Sequence, residues 1–118
     1  GNDVANGEDG NDTVTGEAGD DSLYGSDGND KFIGGTGADY VDGGNGRDII
    51  SYATSSQAVN VDLEAASGSG GDAEGDVMID VEDIEGSAFA DTLRGNSITN
   101  TVYGLGGNDT IRTAQGVD

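Results

Sequence analysis

The chain has 118 residues, of which 24 are acidic and four are basic, so its formal net charge is -20. This charge disfavours nucleic acid and anionic membrane surfaces as partners, and the absence of Cys and His excludes disulfides, a catalytic Cys, a zinc site and a Ser-His-Asp triad. Leu, Ile, Val and Phe together number 22, about 19% of the chain, which at this charge predicts a largely unfolded chain without a ligand. No apolar stretch approaches the length of a membrane-spanning helix, so we expect no insertion into a membrane.

Five nine-residue units follow one another without a gap from Gly7 to Ser51. They read GEDGNDTVT, GEAGDDSLY, GSDGNDKFI, GGTGADYVD and GGNGRDIIS. Every unit has Gly at its first and fourth places, Asp at its sixth and an apolar residue at its eighth. The fourth-place glycines are Gly10, Gly19, Gly28, Gly37 and Gly46, and the sixth-place aspartates are Asp12, Asp21, Asp30, Asp39 and Asp48. Residues 1–6 fit the end of a preceding unit, with Asp3 at its sixth place.

The unit predicts a turn followed by a very short strand. Two glycines three residues apart permit positive φ and close backbone approach, as a tight turn requires. The last three residues, such as Lys31-Phe32-Ile33, suit a strand whose middle side chain points inward. One strand would then alternate with one turn, and two consecutive units would form one coil. Neighbouring coils should stack at roughly the 4.8 Å strand spacing, which places Asp12 under Asp30 and Asp21 under Asp39.

The nine-residue rule lapses from Tyr52 to Glu85. The segments 58–63 and 77–81 alternate apolar and polar residues, which is typical of longer strands with one apolar face. Ser67 to Asp72 is Gly- and Ser-rich and reads as a loop. We interpret residues 52–85 as one or two wider coils with longer strands that continue the same solenoid, although a small separate β lobe is an alternative.

Units return as GSAFADTLR, GNSITNTVY and GLGGNDTIR from Gly86 onward. Their turn chemistry is weaker, because the fourth place holds Phe89 and Ile98 in the first two of these units, and Asn100 replaces Asp. Asp91 and Asp109 are two units apart and could share one ion. The predicted inward residues are Ile84, Leu93, Val102 and Ile111. Residues 86–118 are therefore interpreted as a second, degenerate segment of the roll, and residues 1–51 as the regular segment.

Stacked aspartates create an electrostatic problem. Two carboxylates about 5 Å apart repel by about 0.8 kcal/mol in water and by more in a partly excluded site. A divalent cation between consecutive turns removes this repulsion, and Ca²⁺ accepts about six to eight oxygen ligands from carboxylates and backbone carbonyls in flexible geometry. The sixth-place aspartates offer the charge and the Gly-rich turns offer carbonyl oxygens.

These units closely resemble the G-G-x-G-x-D-x-U-x nonapeptide of the RTX (repeats-in-toxin) family, a calcium-binding parallel β-helix repeat. The resemblance is strong over residues 1–51 and looser over residues 86–118. It implies an all-β fold, a right-handed parallel β-roll, with several Ca²⁺ ions held between turns on the same side. It also implies export by type I secretion machinery and folding on contact with external calcium. The carboxylates carried over are Asp3, Asp12, Asp21, Asp30, Asp39 and Asp48. The family's second Gly is replaced by Glu8, Glu17 and Ser26 in the first three units.

We predict a non-enzymatic module that is secreted or lies at the cell surface. Both ends of the sequence fall in mid-unit, so we expect the module to be part of a longer protein. Two alternatives remain: a calcium-rigidified spacer of an adhesin or surface layer, and an accessory module that binds polysaccharide. The charge of -20 argues against an anionic polysaccharide.

A competing interpretation of the sixth-place aspartates is a solvated turn in which Asp only caps its own loop. Acidic residues of the irregular segment are expected to be solvated: Asp62, Asp72, Asp76, Asp80 and Asp83. The four tyrosines are expected to face outward or to lie at edges: Tyr24, Tyr40, Tyr52 and Tyr103.

Overall fold

The computed structural model describes residues 1–112 and shows an all-β chain. Within this range thirteen strands, none longer than three residues, and one 3₁₀ turn at Gly71–Ala73 are formed. The strands are β1 (Val4–Asn6), β2 (Thr13–Thr15), β3 (Ser22–Tyr24), β4 (Lys31–Ile33), β5 (Tyr40–Asp42), β6 (Ile49–Ser51), β7 (Asn60–Asp62), β8 (Ser67–Ser69), β9 (Val77–Ile79), β10 (Asp83–Glu85), β11 (Thr92–Arg94), β12 (Val102–Tyr103) and β13 (Thr110–Arg112). The predicted positions of the strands in the five regular units are confirmed.

The strands form two sheets, and consecutive units of the regular array alternate between them. The eight-stranded sheet has the order β1-β3-β5-β9-β8-β7-β11-β13, and the five-stranded sheet has the order β12-β10-β6-β4-β2. Pairing is parallel in the array, with Leu23 opposite Val41 and Val14 opposite Phe32, so each strand pairs with the strand two units further along. The predicted coil of two units is therefore confirmed, and the fold is a parallel β-roll.

One inward side chain per strand builds the core between the sheets. The middle residue of β2 to β6 is 0–5% exposed in every case. These residues are Val14, Leu23, Phe32, Val41 and Ile50. A three-residue strand turns only its central side chain to one face, so each unit contributes a single apolar residue and the core of the array is narrow.

The two invariant glycines of each unit have different structural roles. The fourth-place glycines have positive φ, for example 115° at Gly28. The first-place glycines do not have positive φ. Glycine is required there because a side chain would not fit. A Cβ built on Gly16 would lie 2.6 Å from Oδ2 of Asp21 in the same unit. The second place also has positive φ, 75° at Glu17 and 91° at Gly35, so the three non-glycine residues there keep the family's turn.

The irregular segment differs from the prediction of wider coils with longer strands. After β6 the chain forms β7 and then β8, which is antiparallel to β7. Only the following strand, β9, pairs with β5. The predicted long strands at 58–63 and 77–81 are three residues long in the structure, because only Asn60–Asp62 and Val77–Ile79 lie beside a partner strand. The predicted loop at 67–72 is wrong in its first half, where Ser67–Ser69 pairs with Asn60–Asp62.

The second group of repeats rejoins both sheets. β10 pairs with β6, and β11 pairs with β7, both in parallel. Ile84 and Leu93 are fully buried as predicted, and Val102 packs against the core. Ile111 is 46% exposed, contrary to prediction, because β13 has a partner strand only on its β11 side within residues 1–112. The prediction for residues 113–118 lies outside the described residues. Within residues 1–112 no helix has the length and apolar character needed to cross a membrane.

Candidate metal centre

The sixth-place aspartates form two columns, one beside each sheet. In the column of the five-stranded sheet, the backbone N–H of Asp12 donates to Oδ1 of Asp30 at 2.8 Å. The N–H of Asp30 donates in the same way to Oδ1 of Asp48, also at 2.8 Å. Each carboxylate thus reaches back to the turn two units earlier, and the predicted stacking of these turns is confirmed.

The column of the eight-stranded sheet repeats this geometry. The N–H of Asp3 donates to Oδ1 of Asp21 at 2.6 Å, and that of Asp21 donates to Oδ1 of Asp39 at 3.0 Å. Asp21 and Asp39 are each 2% exposed, whereas Asp3, in the first turn of the column, is exposed. The carboxylates are therefore stacked and largely removed from water, which excludes the competing interpretation of solvated turns.

The second carboxylate oxygen is buried and lacks a hydrogen-bond partner in all five regular units. These oxygens are Oδ2 of Asp12, Asp21, Asp30, Asp39 and Asp48. A buried carboxylate oxygen without a donor is unfavourable, and such groups are normally paired or bound to metal. The array therefore contains five anionic oxygen atoms whose surroundings in the protein do not satisfy them.

Carbonyl oxygens of the fourth-place glycines face the next turn of the same column. The carbonyl of Gly10 faces the α-carbon side of Gly28, and the carbonyl of Gly28 faces Gly46 in the same way. Within residues 1–112, neither of these oxygens accepts a hydrogen bond. The second-place carbonyls of Glu17 and Ser26 differ, since each accepts an N–H from the turn above.

Burial perturbs the carboxylates at the inner end of the array. Desolvation raises the pKa of Asp48 to about 7, with the carboxylates of Glu82 and Asp30 adding repulsion and the N–H of Asp30 opposing the rise. Desolvation likewise raises the pKa of Asp39 to about 6, and the neighbouring Asp21 adds to it. Without a cation, the ionised forms of Asp39 and Asp48 are therefore disfavoured.

Both columns continue into the irregular segment through residues that the sequence analysis did not identify. The N–H of Asp39 donates to Oδ1 of Asp76, and the N–H of Asp48 donates to Oε2 of Glu82, both at 2.8 Å. The expectation that Asp76 is solvated is wrong, since it is 1% exposed. The missed signal is local: an acidic residue stands two places before the inward Met78 and Ile84, as in every regular unit.

Asp76 differs from the regular aspartates in its second oxygen. The hydroxyl of Tyr52 donates to Oδ2 of Asp76 at 2.8 Å. Tyr52 is 1% exposed, so its predicted outward position is also wrong. Burial and the carboxylate of Asp76 raise the pKa of this phenol well above its ordinary value, so it remains a proton donor. Tyr24 and Tyr40 are half-buried neighbours with ring centroids 6.0 Å apart, and Tyr103 is 50% exposed.

The turns of the second group of repeats also stack, but the carboxylate of Asp91 has different hydrogen-bond partners from those of the regular units. The N–H of Asp91 donates to Oδ1 of Asp109 at 2.9 Å, so the predicted pair is brought together. Oδ2 of Asp91, however, accepts the N–H of Ser87 at 2.7 Å. Oδ1 of Asp91 accepts both the Ser87 hydroxyl at 2.5 Å and the N–H of Val59 at 2.9 Å. Asp91 therefore has protein donors on both oxygens.

Other acidic residues of the irregular segment serve ion pairs. Arg47 makes two hydrogen bonds to Asp83, at 2.7 and 2.9 Å, and Asp83 has a side chain only 13% exposed, contrary to the expectation of solvation. Arg94 lies 3.6 Å from Asp62, whose side chain is 27% exposed. These ion pairs link neighbouring coils, and neither of them involves an aspartate of the two columns.

In the described part of the chain, no three acidic side chains converge in a way that could hold a metal ion by themselves. Ions in the columns would therefore need backbone carbonyls beside the two carboxylates of a stacked pair. Ca²⁺ is the common cation that fills its coordination sphere in this mixed way. The residues present fit such an ion, because the carboxylate oxygens lack donors and the same turns carry carbonyls without a hydrogen bond.

A model of the RTX calcium-binding nonapeptide repeat matches the chain in four copies, over residues 1–32, 24–53 and 85–118. These matches cover most of the sequence, and the chain belongs to this family of calcium-binding repeats. Membership supports calcium binding by the chain, and the family's repeat is a structural, non-catalytic unit. A search of curated proteins finds no match.

Proposed function

We propose that the chain binds several Ca²⁺ ions between stacked turns of residues 1–51. The observation that carries this proposal is the set of five buried carboxylate oxygens without partners, one in each regular unit. The carboxylate ligands would come from pairs two units apart within Asp3, Asp12, Asp21, Asp30, Asp39 and Asp48. The carbonyl ligands would come from the fourth-place glycines Gly10, Gly19, Gly28, Gly37 and Gly46.

The ion would supply charge neutralisation and cross-linking of successive turns. Each turn would contribute to the site below it and the site above it, since each Asp already contacts the turn two units earlier. Filling one site would order a turn that the next site also uses. This sharing favours cooperative binding along each column, as nearest-neighbour stacking does in other repeat proteins.

Calcium binding would be coupled to folding. The array buries one apolar side chain per unit and stacks carboxylates, and burial raises the pKa of Asp39 and Asp48 among them. Both features favour an unfolded array when calcium is scarce. In such systems the free energy of metal binding becomes free energy of folding. Extracellular calcium modules bind in the range of about 10⁻⁴ to 10⁻³ M, which would keep the regular array unfolded inside a cell and folded outside it.

This switch suits a secretion and folding module of a larger secreted protein. An acidic chain whose array is unfolded would pass through type I secretion machinery, and the array would fold on reaching external calcium, either free in the medium or at the cell surface. Three segments would share one continuous roll: residues 1–51 as the regular array, 52–85 as the irregular part and 86–118 as the degenerate repeats. We place the pair Asp91 and Asp109 below the regular pairs as a calcium site, because protein donors already satisfy Asp91.

The test is far-ultraviolet circular dichroism of the chain in chelator, titrated separately with Ca²⁺ and Mg²⁺. We expect a large gain of β signal with Ca²⁺ near millimolar and little with Mg²⁺, because Mg²⁺ requires near-ideal octahedral geometry and dehydrates reluctantly. A β signal that is complete in chelator and unchanged by Ca²⁺ would refute calcium-coupled folding.

A further inference from the structure

Residues 52–94, here called the seam, lie between the regular array and the last coils. They hold β7 to β11 and supply Asp76 and Glu82 to the two columns. We propose that the seam folds without calcium and is the template on which calcium orders residues 1–51. The second half of this statement rests on the proposed function, and the first half does not.

The first argument is that carboxylate oxygens of the seam accept hydrogen bonds from protein donors, whereas the corresponding oxygens of the array have no donor. Asp39 and Asp76 are neighbours in one column, and both are buried. Oδ2 of Asp39 has no partner, whereas Oδ2 of Asp76 accepts the hydroxyl of Tyr52. The buried phenol of Tyr52 thus gives Asp76 the hydrogen-bond donor that Asp39 lacks, so Asp76 does not need a cation.

The same substitution occurs at Asp91. Its two oxygens accept three donors, namely the N–H and the hydroxyl of Ser87 and the N–H of Val59. Ser87 and Asp91 are 0% and 1% exposed. Between residues 52 and 112 no buried side-chain oxygen or nitrogen lacks a partner, and all five that do lie in the regular array. The requirement for a metal is therefore concentrated in residues 1–51.

The second argument is the distribution of the core. Nine of the 14 buried hydrophobic residues lie in the seam. They are Tyr52, Val59, Val61, Leu63, Ala73, Met78, Val81, Ile84 and Leu93. The regular array contributes the other five over a longer stretch of chain. Because burial of apolar surface drives folding, the seam has a larger source of stability than the array.

The third argument is how the seam meets the array. β9 offers a parallel edge to β5, and β10 offers one to β6. The carboxylates of Asp76 and Glu82 accept the N–H groups of Asp39 and Asp48 from the last turns of the array. A folded seam would therefore present two strand edges and two acceptors in the register that the next coil needs. Ordering would then proceed from Ser51 toward Gly1.

Hydrogen exchange measured by mass spectrometry on the whole chain tests the proposal. In chelator, we expect peptides covering 58–63 and 77–94 to exchange at least tenfold more slowly than peptides covering 7–48. With millimolar Ca²⁺, both regions should be protected. Equal, fast exchange of both regions in chelator would overturn the calcium-independent seam. A seam protected in chelator together with an array that Ca²⁺ fails to protect would leave the seam standing and refute the proposed function.

A matched pair of variants tests the role of the phenol. Tyr52→Phe keeps the ring and removes only the donor to Asp76, so exchange in 77–94 should rise about tenfold or more in chelator. Tyr103→Phe removes the same atom from a residue that is half exposed and should change nothing. The number of bound ions, from native mass spectrometry in Ca²⁺, should be the same for Tyr103→Phe and the wild type. Unchanged exchange in Tyr52→Phe would refute the role of Tyr52.

Discussion

Asp30→Asn separates the two possible roles of a sixth-place aspartate. Asp30 is fully buried, accepts the N–H of Asp12 through Oδ1 and donates its own N–H to Asp48. An Asn side chain keeps the oxygen that accepts the N–H of Asp12 and nearly the same volume. The variant therefore removes one negative charge and leaves the stacking hydrogen bonds in place.

The expected effect has opposite signs with and without calcium. At a Ca²⁺–oxygen distance of about 2.4 Å, loss of one carboxylate charge costs about 3.5 kcal/mol even with the dielectric constant of water. Asp30 would serve the gaps on both sides of its turn, so two ions should weaken. Without calcium, the variant loses repulsion of about 0.8 kcal/mol from each neighbouring carboxylate at about 5 Å, so the chain should be slightly more structured.

Calcium titration by circular dichroism, combined with a count of bound ions, measures both effects. The folding midpoint of Asp30→Asn should rise at least tenfold in Ca²⁺, and its β signal in chelator should equal or exceed that of the wild type. Asp9→Asn is the control, since it removes the same charge from an exposed third-place side chain and should leave the midpoint nearly unchanged. A wild-type midpoint for Asp30→Asn would show that the charge of Asp30 holds no ion and that its role is confined to the stacking hydrogen bonds.

Three further predictions follow from the turns and the columns. Glu17→Gly should stabilise the calcium-bound fold by about 0.5–1 kcal/mol in thermal unfolding, because Glu17 has φ 75°, whereas Glu74→Gly, at φ -63°, should not. Gly28→Ala should raise the calcium midpoint for folding more than Gly10→Ala does; both change a glycine with positive φ, at about 1–3 kcal/mol, but only at Gly28 would the Cβ meet a carbonyl, that of Gly10. In chelator, the stability of the array should fall as pH rises from about 4 to 7, so the β signal should be larger near pH 4 than at pH 7, because the folded array keeps a proton on Asp48 up to its pKa of about 7 while the unfolded chain releases it near 3.8. That slope should disappear or reverse in saturating Ca²⁺, which competes with the proton, and urea unfolding at several pH values measures it.

The regular array could be predicted from the sequence because its structural rules are local. Each unit carries its own turn, its own inward residue and its own carboxylate, so the period of nine fixes the two-unit coil and the stacking of Asp12, Asp30 and Asp48. The two glycines could not be told apart in this way. Only the structure shows that Gly16 leaves room for Asp21, whereas Gly19 supplies positive φ.

The irregular segment could not be predicted because its order in space differs from its order in the chain. β7 precedes β9 in the sequence. In the sheet, however, β7 is separated from β9 by β8 and lies next to β11. Nothing in the pattern of residues 58–63 indicates which strand it will pair with. The position of Asp76 was obscured for the same reason, since its neighbour Asp39 is 37 residues away, further than the two units that separate regular neighbours.

The chemistry of the column beside the five-stranded sheet changes gradually along its length. From Asp12, Asp30 and Asp48 it passes to Glu82, whose Oε2 still accepts an N–H, and then to Asn100, which is neutral and donates to the carbonyl of Glu82 at 2.6 Å. In the other column the change is abrupt, from the bare oxygen of Asp39 to the phenol-bound oxygen of Asp76. Both columns thus lose their unsatisfied charge at the same boundary, where the chain enters residues 52–94. A cation is favoured only where carboxylates are stacked without donors, so this boundary would confine calcium-dependent order to the array and leave the rest of the fold to its apolar core.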